Sequence, residues 1–207
     1  MRRGPVEYEM KTLAVSEFLT WAERAGLHLD PQYPHSAVLV FRSSQQHARF
    51  WVVPPEPEVR PYFLASFLEL MGDWRACYAW RHLGSWPERA EPSRVNEIVE
   101  LQILKGLGVP LGTADVVSFE RTELDKLVTL MFSTTVFGWS VYEDLYIVPD
   151  HARHILQTDH HNAIHVSYAS SEDLEVWVRE MEARGFALPD DLPDETFKKP
   201  DWMNDTD

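Results

Sequence analysis

Five of the nine histidines, His151, His154, His160, His161 and His165, fall within fifteen residues, with Asp159 among them. Imidazole and carboxylate are ligands for zinc and related divalent ions, and each donor must come within about 2 Å of one centre. Spacing therefore decides which of them can cooperate. A hairpin turning at residues 159–162 sets Leu156 opposite His165 and places His154 diagonal to His165 on the same side. That arrangement admits a divalent metal shared by His154 and His165, with Asp159 as a further ligand. His161 and His165, four residues apart on one strand, would be roughly 13 Å apart and cannot share an ion. No Cys2His2 spacing and no H-E-x-x-H accompanies the cluster. The same residues also suit a turn built by Asp159 and Asn162 with histidines exposed around it, and then no cofactor is expected.

Glu143 and Asp144 interrupt an apolar run. Alternation puts Glu143 on the side of Val141, Leu145 and Ile147, where a buried carboxylate acts as a general base, or else marks a bulge where the strand leaves the sheet. Cys77 has Arg75 and Arg81 on its own side of a strand, which favours a thiolate, yet a small core residue is the expected role. Trp51, Trp74, Trp80 and Trp86 are dense enough to line an aromatic groove if they are not core. G-x-G-x-x-G, G-x-x-x-x-G-K-[ST] and G-x-S-x-G are all absent from the sequence, which disfavours nucleotide-dependent and serine-hydrolase chemistry.

Five helices are expected to carry these groups. Ser16 caps a helix over Glu17–Ala25 that stops at Gly26; Pro61 opens one that stops at Gly72. A third starts at Ser93 with Val95, Ile98, Leu101 and Leu104 as its apolar stripe. Thr122 with Asp125, and Ser170 with Asp173, open the last two, the latter carrying Leu174, Trp177, Val178 and Met181 inward. Strands are expected over Ser36–Phe41 and Arg49–Val53 as a hairpin, then Trp74–Trp80, Asp115–Phe119, Trp139–Val148, His154–Thr158 and Ala163–Tyr168. Strict strand–helix alternation fails at both ends. The expected fold is therefore α+β: a single domain with a mixed, largely antiparallel sheet of about six to seven strands, packed by about five helices. Its span is 13–188, with packed halves meeting near 83–92 as the alternative organisation, after an N-terminal extension over 1–12 and before an irregular acidic tail over 189–207.

The 207 residues carry a net charge of −14, distributed unevenly. Residues 1–103 hold 11 basic and 13 acidic side chains; residues 104–207 hold 8 and 20. Such a surface repels phosphate backbones and anionic lipid, so neither nucleic acid nor membrane is an expected partner. No apolar run approaches the ~20 residues needed to cross a bilayer, no apolar segment follows Met1-Arg2-Arg3, and a lone cysteine makes no internal disulfide. A cytoplasmic location is expected. The leading functional expectation is a non-catalytic domain that binds a basic protein partner through Glu172, Asp173, Glu175 and Glu180, in the general manner of immunity or antitoxin proteins, a comparison of size and charge alone. The alternative is a metal-dependent hydrolase built on the histidine-rich hairpin.

Overall fold

A computed structural model describes residues 10–33, 36–42, 46–90, 95–137 and 144–189. In chain order the elements are β1 (Lys11–Leu13), α1 (Val15–Arg24), β2 (Leu27–Tyr33), β3 (Ser36–Phe41), β4 (His47–Val52), α2 (Arg60–Leu70), β5 (Ala76–Arg81), α3 (Val95–Leu107), β6 (Val116–Glu120), α4 (Leu124–Phe137), β7 (Leu145–Pro149), β8 (His154–Asp159), β9 (Ala163–Tyr168) and α5 (Ser171–Ala183). Seven strands form one sheet in the order β1-β6-β5-β7-β8-β9-β4, and every pairing in it is antiparallel. β2 and β3 form a separate antiparallel pair. This is an α+β fold, and its sheet interleaves strands from both halves of the chain, with β5 between β6 and β7. Lys11 and Thr12 belong to that sheet, so its first strand starts inside the segment expected as an extension.

Strand alternation divides the sheet into two faces. Cys77, Ala79, Val117, Phe119, Leu145, Ile147, Leu156, Ile164 and Val166 point to the larger core, which α2, α3, α4 and α5 cover with Phe63, Phe67, Leu104, Leu127, Met131 and Trp177. Trp80, Val116, Tyr146, Val148 and Ile155 point the other way, under Phe18 and Ala22 of α1 and Leu27, Leu39 and Phe41 of the β2–β3 pair. The molecule thus has three layers. Among the described residues, no helix is long and apolar enough to cross a membrane.

Three local differences from the sequence reading have physical causes. The expected hairpin of Ser36–Phe41 with Arg49–Val53 does not form: β3 pairs with β2, and β4 pairs with β9. Leu27 opposite Phe41 and Leu29 opposite Leu39 supply the apolar match, while Pro31 and a register shift between Asp30 and Tyr33 disguise β2 as a loop. Gln46 marks the crossing between sheets, accepting from the Phe41 N–H at 3.3 Å and donating to Ser167 Oγ at 3.2 Å. The first helix begins one residue before Ser16; Ala14 is its N-cap, and its N–H donates to Glu17 Oε2 at 3.2 Å. At the last helix, Ser170 Oγ accepts from the Asp173 N–H at 3.3 Å, the capping expected from sequence.

The third difference is the inward face of α3. Leu101, Leu104 and Leu107 are buried, but so is Glu100, while Val95 is 70 % exposed and Val99 40 %. Glu100 turns inward because Arg81, only 4 % exposed at the end of β5, pairs with it there. Three helical positions that look like core by apolarity, Val95, Ile98 and Val99, are consequently displayed outward.

Candidate functional site

The β8–β9 hairpin places the histidines, and its register differs by one residue from the expected one. Gln157, not Leu156, lies opposite His165, and Asp159 lies opposite Ala163. The loop is therefore three residues long. Asn162, with φ of 59°, supplies the left-handed position that this tight connection needs, and its N–H donates to the Asp159 carbonyl at 3.0 Å. A one-residue slip moves every side chain of a strand to the other face.

His154 and His165 consequently lie on opposite faces of the sheet, and no ion can bridge them. His154 enters the larger core, 2 % exposed, with ring centroids 5.2 Å from His151, 5.2 Å from Tyr168 and 5.1 Å from Trp177. Burial, helped by the nearby His151 and Arg153, pushes its pKa down to about 3, and its Nε2 has no hydrogen-bond partner among the described residues. His151 is fixed by backbone: Nδ1 accepts from the Arg153 N–H at 3.2 Å, so Nε2 carries the hydrogen donated to the Met71 carbonyl at 3.1 Å.

Asp159 and His165 do come together, as same-face diagonal neighbours, with His165 Nε2 donating to Asp159 Oδ2 at 2.9 Å. Three further residues join them. The Asp159 Oδ1 atom accepts from the His161 N–H at 2.8 Å and lies 3.4 Å from His160 Nδ1. Asp144, one step before β7 and on the same face, accepts from the His160 N–H at 2.9 Å and from His160 Nδ1 at 3.0 Å. Two aspartate–histidine pairs thus flank one turn. Phe50 of β4 packs on His165, with ring centroids 5.9 Å apart.

The carboxylates are tuned in opposite directions. Burial is the largest influence on Asp144 and raises its pKa to about 6 against the bonds from His160. Burial acts upward on Asp159 too, but the bonds from His165 and the His161 N–H, joined by ring charge whenever His165 or His160 is protonated, outweigh it and hold the group below the usual carboxylate range.

Donor atoms of Asp159, His160 and His161 all lie within 4.8 Å of one another. Tetrahedral donors about 2.1 Å from zinc are about 3.4 Å apart, so these donors would have to close by up to about 1.4 Å to share an ion. His160 Nδ1 lies 3.0 Å from Asp144 Oδ1 and 3.4 Å from Asp159 Oδ1; with its hydrogen given to Asp144, Nε2 is the nitrogen that keeps a lone pair for a metal. Two imidazoles and one carboxylate suit zinc or another first-row divalent ion and leave a coordination position open.

The remaining sequence candidates fall elsewhere. Glu143 lies outside the described residues, and the carboxylate that the structure brings to the turn is its neighbour Asp144. Cys77 is wholly buried, and that burial raises its thiol pKa well above the usual range, so it is a core residue. Trp51, Trp74, Trp80 and Trp86 are all at least 96 % buried and belong to the two cores. Glu172, Asp173, Glu175 and Glu180 are exposed along α5, where Glu175 also meets Arg49 at 3.3 Å. His160, His161 and Asp144 could have been singled out only by counting the loop as three residues; the Asp159–Asn162 span carried that signal. No protein-family model, characterised protein or solved structure matches this chain.

Proposed function

We propose that this protein binds one divalent transition-metal ion at the β8–β9 turn, through Asp159, His160 and His161, and uses it in a hydrolytic site. The observation that carries this reading is the convergence of those three donors to within 4.8 Å, with Asp144 behind His160 fixing its tautomer. A three-ligand site of this kind supplies a Lewis-acidic centre with room for a substrate oxygen. Asp159 both contributes a ligand oxygen and holds His165 at the side of the turn. Asp144 keeps the His160 ring in place.

Calorimetric titration of untagged, EDTA-treated protein with zinc tests this directly. One ion per chain is expected, and alanine at Asp159, His160 or His161 should abolish saturable binding. Asp144→Asn should weaken binding by about 10- to 100-fold, the effect of losing an orienting carboxylate. His47→Ala, on β4 and away from the turn, should change nothing. Binding that survives in the three ligand variants contradicts the assignment.

A second reading is supported by α5, whose solvent side presents Glu172, Asp173, Glu175 and Glu180 beside an exposed Val176. That surface suits a basic protein partner. If it serves one, charge reversal of these four residues should slow association with a lysine-rich partner about tenfold or more at low salt, and the difference should shrink as salt rises. Stopped-flow association rates that are equal in wild type and variant count against it.

A further inference from the structure

On the sheet face away from α2–α5, a cavity of about 180 Å³ lies under β3, bounded by Leu39, Gln46, Tyr146, Gln157, His165 and Ser167 among others. Bonds made behind its polar atoms determine what they offer inward. Gln46 Nε2 donates to Ser167 Oγ, so the Ser167 hydroxyl hydrogen is left for another acceptor. The Tyr146 hydroxyl, also on the wall, can donate its hydrogen as well as accept. His165 has committed Nε2–H to Asp159, so in its neutral ring Nδ1 is an acceptor. Gln157, directly across the ladder from His165, adds an amide that can both donate and accept.

Among the described residues no lysine or arginine lines the cavity, and His165 on its wall is bonded to Asp159, so these surroundings disfavour an anion. Its volume is below the ~300 Å³ at which drug-sized pockets begin, and it therefore suits a fragment of a few heavy atoms. We infer that the cavity under β3 is a binding site for a small uncharged molecule carrying a primary carboxamide, whose carbonyl accepts from the Ser167 and Tyr146 hydroxyls and whose NH2 donates to His165 and Gln157. The inference goes beyond the proposed metal site: His165 touches Asp159, but none of the three proposed ligands lines the cavity, and amide binding needs no ion.

Acetamide titrated into 15N-labelled protein, in EDTA and again with zinc, provides the test. Saturable shifts are expected at Tyr146, Gln157, His165 and Ser167 in both conditions, and acetate should produce none there. Ser167→Val and Gln157→Leu should each weaken acetamide binding at least about tenfold, the loss expected when a buried bond is removed and its partner stays unsatisfied. Ala48→Leu, which fills the cavity without touching its polar groups, should abolish it. Acetamide shifts that are absent, scattered over the surface, matched by acetate or undiminished in folded variants overturn the inference. Zinc titration of Ser167→Val separates the two proposals: retained zinc with lost acetamide supports both, and lost zinc binding in wild type leaves the EDTA arm to judge the cavity alone.

Discussion

Arg81→Ala is expected to lower folding stability by about 3–5 kcal/mol, the usual loss when one partner of a buried ion pair is removed and the other is left charged. Arg81 and Glu100 are each only 4 % exposed, and the Arg81 guanidinium also lies 4.9 Å from the Trp86 ring centroid. The variant strands Glu100 inside the interface between α3 and the sheet. It also removes the cation from the Trp86 face, and that indole is itself tied to the Asp115 carbonyl at 2.8 Å. Arg81→Met with Glu100→Leu should recover most of the loss, because desolvating two charges offsets much of their attraction. Urea denaturation would show the midpoint falling in the single variant and returning in the double, with little change in slope. An Arg81→Ala midpoint within error of wild type would contradict this account of why α3 turns Glu100 inward.

Acid sensitivity centred on His154 is the second large effect. Its pKa in the folded protein is about 3, whereas an unfolded histidine titrates near 6.5, so the unfolded chain binds the proton more readily. Stability from this group is therefore complete above about pH 6.5 and falls as pH drops, by about 1.4 kcal/mol per unit, until the folded pKa is reached. By pH 4 that amounts to about 3 kcal/mol. His154→Phe keeps a ring of similar size against Tyr168 and Trp177 and removes the titration. Its stability should decline less steeply than that of wild type between pH 6.5 and 4, by one proton's worth of slope. Parallel curves for the two proteins, measured by denaturation at a series of pH values, would mean that His154 is not buried in its neutral form.

Much of the framework can be read from residue order. The apolar spacing of Phe63, Leu64, Phe67 and Leu68 places α2, and Leu174, Trp177, Val178 and Met181 with the Ser170 cap place α5, because local periodicity and capping are decided within a few residues. The alternation of Tyr78 and Trp80 with Cys77 and Ala79 likewise assigns β5 to its two cores. Pairing is decided non-locally, and there the sequence reading loses its hold. Nothing near Ser36–Phe41 indicates that Leu27 and Leu29 are its partners rather than Arg49–Val53. Whether a loop holds three residues or four depends on one backbone angle at Asn162, yet that angle sends His154 into the core and His165 to the opposite face. Asp144 reaches the turn through a different pairing, that of Leu145 with Thr158, which sets the residue before β7 beside the loop. Glu100 was hidden for a different reason: its burial depends on an arginine 19 positions earlier.

Diffraction from zinc-grown crystals, recorded on both sides of the zinc absorption edge, addresses the proposed centre most directly. An anomalous peak within about 2.3 Å of an Asp159 carboxylate oxygen and of one nitrogen each on His160 and His161 is the predicted result. Zinc peaks confined to other histidines, with those three side chains remaining apart, would contradict a metal site at this turn.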